Sequence, residues 1–312
     1  MIRDRAARVD RLLGTAERRL RDAFLLSVAR VRSQASLRRV AALLASGRAE
    51  EALRLVDQAG ERLARAWGRE HARSARSAAR FLGLSGVDLG GRAGRRVEAH
   101  LARVVREFAS SQRRATSEVL ARGAAAGKSP RQLTRDFRAS LGLSPQQAQA
   151  SASYRLALEA GSVQALTREL RDRRFDATVR RGDPLTPAQV DRMVERYEER
   201  LLARRAAVIA GTEALRSVHE GAEEATLQLM EGGGASPAQV QQVWHTQGDH
   251  RVRDSHSPMS GQVRPWGIPF RSGNGNLLRH PGDLDAPASD SVNCRCFLTT
   301  SLLSPAEVAL VS

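Results

Sequence analysis

Cys294 and Cys296 are the only two cysteines in the chain, one residue apart, and His256 and Asp249 precede them by about forty residues. One carboxylate, one imidazole and two thiols are all acceptable zinc ligands. A Cys-x-Cys pair can place two sulfurs on one ion, although the commonest structural spacing leaves two or more residues between them. Zinc is therefore the candidate cofactor, with Asp249, His256, Cys294 and Cys296 as candidate ligands. The same residue types also suit a metal-free role. Asp249 can pair with Arg251, Arg253 or Arg295, His256 can fix a loop by hydrogen bonds, and the cysteines can serve as small buried hydrophobes. A disulfide between such near neighbours would be strained, which fits a reduced compartment. Nothing in the spacing of His245, His250 or His280 recommends them as ligands.

Catalytic patterns are missing from the sequence. A zinc deaminase needs His-x-Glu and Pro-Cys-x-x-Cys, and neither occurs. Lys128 in AAAGKSP lacks the upstream glycine spacing of a phosphate-binding loop. Glu213 is a lone carboxylate on a helix, where surface or salt-bridge roles are usual. No catalytic or cofactor-binding residue is assigned, and the chain is expected not to be an enzyme.

Those residues need elements to hold them, and the composition favours helices. Of 312 residues 41% are hydrophobic but only 4% aromatic, so the core must rest on Ala, Leu and Val rather than on strand-forming side chains. Lys and Arg total 50 against 34 Asp and Glu, a net charge of +16, and Lys128 is the only lysine. Guanidinium groups pair bidentately with carboxylates and phosphates. Such a chain points to nucleic acid or an acidic protein surface, with solvated helix faces as the plain alternative. No run of about 18 apolar residues occurs, so no membrane span is expected, and the first residues lack the apolar core of a secretory signal.

Leu13, Ala16, Leu20, Phe24, Val28 and Val31 recur at helical spacing, as do Leu53, Val56, Leu63 and Trp67 in a second run over 48–82. GLSGVDLGG (83–91) breaks the pattern. A helix restarts near Arg95 with Val97, Leu101, Val104 and Phe108. Ser129-Pro130, Ser144-Pro145, Thr186-Pro187, Ser236-Pro237 and Ser304-Pro305 each combine an N-cap with proline at the first helical position. Val190, Met193, Tyr197 and Leu201 mark a long helix after Thr186 running towards Met230, and EGGGASP (231–237) looks like a hinge. Beyond it, Gly, Pro, Asn and His predict short strands and loops, then a tail helix after Ser304. The expected fold is mainly α: an elongated helical N-terminal body followed by a small loop-rich α+β C-terminal module. It divides into 1–120, an arginine-rich helical region; 121–235, a helical body; and 236–312, the loop-rich module.

The order of residues in the second half resembles the phage Mu F-like head morphogenesis family, the minor head proteins of tailed phages. An alanine-rich helix ends in Thr212-Glu213. Trp244 and Thr246 follow, then Asp249, Arg251, Arg253 and His256 in an Asp-x-Arg-x-Arg-x-x-His run, then Gly261, Phe270 and Asn293-Cys294-Arg295-Cys296. The resemblance covers about residues 120 to 300. One departure is Gly211, where the family often carries arginine before the Thr-Glu pair.

The resemblance implies a protein of capsid and procapsid assembly, acting in head morphogenesis and in DNA packaging or ejection. It would bind the portal protein and the major capsid or scaffold protein, with double-stranded DNA as a further partner. Its location would be the phage head interior, and the host bacterial cytoplasm during assembly. The alternative is a metal-dependent enzyme or toxin-like effector packaged in the head. Because residues 258–283 look unable to build a core of their own, the two motifs at their ends are expected to meet in space.

Overall fold

The computed structural model describes residues 2–81, 88 and 91–311. The chain is mainly helical: α1 (Ile2–Val31), α2 (Gln34–Ala45), α3 (Ala49–Phe81), α4 (Arg92–Ala125), α5 (Pro130–Ser140), α6 (Pro145–Glu159), α7 (Asp176–Arg181) and α8 (Pro187–Glu231). A small C-terminal α+β module follows, with β1 (Val240–His245), β2 (Val263–Pro265), β3 (Phe270–Arg271), β4 (Leu277–Leu278), α9 (Ala288–Ser291), β5 (Phe297–Leu302) and α10 (Pro305–Val311).

Helical spacing identified the buried faces. Ala16, Leu20, Phe24, Val28 and Val31 of α1 are buried, as are Leu53, Val56, Leu63 and Trp67 of α3. Ser129 and Ser144 cap α5 and α6 with reciprocal bonds to Gln132 and Gln147, each followed by proline. Thr186 accepts from the Gln189 N–H as α8 begins, and Ser304 accepts from the Glu307 N–H as α10 begins. Ser236-Pro237 departs from the expectation of a helix start. It opens a single 3-10 turn that leads straight into β1, because Val240 to His245 must pair in a sheet. Of the glycine-dense break 83–91, all but Asp88 and Gly91 lies outside the described residues, as do the side chains of Val97 and Leu101.

The chain forms two compact units, each assembled from separated stretches. One is Met1–Ala23, Ala64–Arg103 and Ala207–Ser312; the other is Phe24–Leu63 and Val104–Ala206. In the second unit Gln112 is buried and ties a turn by both ends of its amide. Its Nε2 donates to the Ser140 carbonyl at 2.8 Å, and its Oε1 accepts from the Gly142 N–H at 2.6 Å. Gly142 has φ 81°, and a Cβ there would lie 2.4 Å from Leu202, so both its backbone and its surroundings demand glycine.

The first unit carries all the strands. β1 is the centre of an antiparallel sheet ordered β2-β1-β5, pairing with β5 from Val240–Leu302 to His245–Phe297, while β3 and β4 form a separate hairpin. Leu215 of α8 joins Trp244, Met259, Phe270, Leu278, Leu298 and both cysteines in one buried core. The stretch 258–283 thus supplies three core side chains, Met259, Phe270 and Leu278. That core is shared with α8 and the sheet and is not one of the stretch's own: Leu215, Trp244, Leu298 and the cysteines complete it. α8 also passes α3 closely within this unit, since a Cβ on Gly221 would lie 2.3 Å from the Ala75 Cα. The contact is backbone, so Gly221→Ala must push the helices apart. Overpacking of this kind costs about 2 kcal/mol, and urea unfolding should show the lower midpoint.

Candidate metal centre

Cysteines two residues apart in an extended chain point to the same side, and the residue between them points away. Just before β5 this alternation buries Cys294 and Cys296 (6% and 3% exposed) and leaves Arg295 half-exposed. His256 (1% exposed) comes from the turn after β1, where its N–H donates to the Arg253 carbonyl at 2.9 Å. The Trp244 ring stands edge-on to the imidazole, centroids 5.7 Å apart, and fixes its plane.

The His256 Nδ1 lies 3.4 Å from the Cys294 Sγ and 3.5 Å from the Cys296 Sγ. All three atoms fall within 4.8 Å of one another. A tetrahedral zinc ion would separate a nitrogen and a sulfur ligand by about 3.6 Å, so the group has the donors and the spacing to hold a metal. The Cys296 N–H also points at the Cys294 Sγ, at 3.4 Å. A hydrogen bond from the Cys296 thiol, helped by His256, pulls the Cys294 thiol well below its ordinary value, while the same partner and burial push Cys296 up.

Behind the imidazole, His256 Nε2 faces the fully buried Asp290 at 3.5 Å. Burial opposes that charge, but bonds from Asn276 Nδ2 (2.7 Å), Ser255 Oγ (3.1 Å) and Ser272 Oγ (3.3 Å) hold the carboxyl below its usual range. A carboxylate behind a histidine selects the tautomer that presents the other nitrogen, the arrangement found behind metal-bound histidines. Asp290 was not apparent in the sequence. No spacing links it to His256, and only the fold of 272–290 brings it there.

Asp249, named as a fourth ligand, takes another place. It is exposed, accepts from Arg295 at 2.5 Å and from the Arg251 N–H at 3.0 Å, and lies outside the ligand group. The alternation that buries the cysteines turns Arg295 towards it. Arg253 donates to the Val292 carbonyl, and Arg251 contributes its backbone while its side chain is exposed. Thr246 donates to Ser260 at 3.0 Å. Gly261 takes φ 80° and returns its N–H to the Trp244 carbonyl at 2.8 Å, while Phe270 packs on Trp244.

The Thr212-Glu213 pair does not end a helix as expected but lies inside α8 (Pro187–Glu231), where it ties this module to that helix. Asn293 adopts φ 54°, the only described non-glycine residue on that side, and its N–H donates to Thr212 Oγ1 at 2.9 Å. Asparagine tolerates that conformation better than most residues. Glu213 is buried. Its carboxylate accepts from Arg216 Nη1 at 2.7 Å, lies 3.0 Å from His100 Nε2, and is 3.6 Å from His71 Nε2. Gly211, at the family's arginine position, faces Glu17, whose carboxyl carbon would lie 3.8 Å from a Cβ there. Neither His71 nor His100 was singled out, since each is a lone histidine in an arginine-rich helix.

Burial alone would raise the Glu213 pKa, but the bonds to His100 and His71 and the charge of Arg216 hold it well below the carboxylate range. A depressed folded-state pKa adds stability that is complete above the unfolded value, near 4.3, and lost as pH falls below it. Glu213→Gln should therefore be less stable than wild type at pH 6, with the difference shrinking progressively as pH falls below about 4 and persisting in part at pH 3. Denaturant midpoints across that range check it.

No family model, curated protein or solved structure matches the chain. Among the described residues no helix is long and apolar enough to cross a membrane.

Proposed function

We propose that the chain is a minor head protein of a tailed phage, a non-catalytic assembly component whose C-terminal module is closed by a zinc ion on His256, Cys294 and Cys296. The observation that carries this is the meeting of the resemblance's separated residues in one unit: His256 with both cysteines, Arg253 with Val292, and Asn293 with Thr212. Zinc fits because two thiolates and an imidazole favour it over harder ions. Its cross-link would close a loop of about forty residues, offsetting an entropy that grows only slowly with length.

Three protein ligands leave the fourth tetrahedral position to another donor, but all three are buried, which closes that position to substrate and favours a structural ion. The metal-dependent enzyme or packaged effector is therefore the weaker alternative. On the proposed reading the protein works in the head interior, bound to portal and capsid or scaffold protein, after assembly in the host cytoplasm.

Packaged DNA is supported as a further partner by one helix face. Arg65, Arg69, Arg73, Arg76 and Arg80 of α3 are all exposed at spacings of three or four residues, a stripe about 22 Å long at 1.5 Å per residue. Arg73 pairs with Glu70, and Arg80 donates to Ser77. No described residue forms an ion pair with Arg65, Arg69 or Arg76.

Two measurements test these assignments. Co-expression with the portal and capsid proteins of the encoding phage should give procapsids that contain the chain, with Cys294→Ser reducing its incorporation several-fold. Procapsids that form normally and exclude the wild-type chain would overturn the assembly role. Binding to duplex DNA should weaken about a hundredfold or more between 50 and 200 mM salt if several phosphates are neutralised. An affinity indifferent to salt would leave acidic protein as the partner of the stripe.

A further inference from the structure

A second cluster lies on α8, distinct from the cysteine centre. Glu220 and Glu223, three residues apart, share one helix face. His280 reaches them from the loop after β4. Gly282 lets that loop lie against the helix, since a Cβ there would stand 3.2 Å from Leu215 and 3.3 Å from Arg216. His280 Nε2 is 3.4 Å from Glu220 Oε1 and 3.3 Å from Glu223 Oε2. Ligand nitrogen and oxygen atoms on one tetrahedral transition ion stand about 3.3 Å apart.

Unanswered hydrogen-bonding capacity points to a missing occupant. Glu220 is 1% exposed and His280 3%, yet neither Glu220 oxygen nor His280 Nε2 makes a hydrogen bond. The neighbouring His219 Nε2 is buried and unbonded too, its ring 5.7 Å from that of His280. Buried polar atoms in native proteins rarely go unmatched, and several in one place call for a ligand. Arg279 does not supply the match. Its Nη1 donates to Glu223 and its Nη2 to Asp283, at 2.6 and 2.7 Å, while Glu220 stays 3.5 Å away. Charge leads to the same conclusion. Glu220, Glu223 and Asp283 set three negative charges against the Arg279 guanidinium and at most one imidazolium in a largely buried place, and a divalent cation beside a neutral His280 would balance them in full.

We propose that Glu220, Glu223 and His280 bind a second divalent transition-metal ion, which fastens the loop 279–283 to α8. The donor set, two carboxylates and an imidazole, suits zinc, cobalt(II), manganese or iron(II). The site is independent of both the cysteine centre and the assembly role, so it stands or falls on its own measurement.

The test uses the full chain, stripped of metal and titrated with cobalt(II), with bound metal counted after dialysis. Two equivalents should bind. One should show the intense near-ultraviolet absorption of cobalt–thiolate bonds and disappear in Cys294→Ser. The other should add no thiolate absorption and disappear in Glu220→Gln and in His280→Gln, both of which keep the thiolate band. Saturation at one equivalent that carries the thiolate band, or a non-thiolate equivalent that survives both variants, overturns the proposal. In the first case a protonated His280 completes an all-protein ion cluster. Should either variant lose its helical circular dichroism, the wild type decides with zinc. The His280 Nε2 resonance must shift on the second equivalent, and an unmoved resonance also overturns the site.

Discussion

The single backbone hydrogen bond from Asn293 to Thr212 Oγ1 holds a particular position in this molecule. It forms where the chain turns through a left-handed conformation, immediately before Cys294, so it sets where the Cys-x-Cys segment starts. Two residues later the alternation of an extended chain places both sulfurs inward and Arg295 outward. His256, the Trp244 ring and Asp290 then have a fixed partner to meet. A threonine in the middle of a helix can serve this way because its hydroxyl donates to the Val208 carbonyl, at 2.8 Å, and still accepts from outside. One hydroxyl thus ties the start of the Cys294–Cys296 segment to α8.

Around that point the module solves a problem of scale. Its apolar core is small, built from Leu215, Trp244, Met259, Phe270, Leu278, Leu298 and the two cysteines. A core of that size gains little from area alone. Polar groups take up part of the work: Asp290 gathers three side-chain donors, and Arg279 joins Glu223 to Asp283. Networks of this sort are costly when half-satisfied and specific when complete. That is why ligand-type residues in the module lie so close to fully used carboxylates.

Much of the helical architecture was apparent from spacing, since a period of three to four apolar residues has one physical cause. The caps at Ser129 and Ser144 were equally plain, because cap, proline and Gln at the third position act locally. What the sequence hid was long-range. Asp249 shares its motif with His256, yet strand alternation gives it Arg295 instead of a metal. Asp290 and His280 carry no local pattern, and loop 272–290 alone places them. Ser236-Pro237 has the same text as the helix starts but precedes β-branched and aromatic residues that a sheet claims. Local rules read local structure; convergence belongs to the fold.

The pairing of β1 with β5 has a consequence for how such a module could be handled as a unit. Val240 opens the first strand and lies opposite Leu302 near the end of the last, and the Leu303 N–H returns to the Gln239 carbonyl at 2.7 Å. Entry and exit therefore share one doorway. A polypeptide grafted beyond β5 would emerge beside the start of β1. In evolutionary terms this makes the module a cassette with two joints: the paired strands at its ends, and the face of α8 at Thr212, Leu215 and Arg216 that any new contents must still fit.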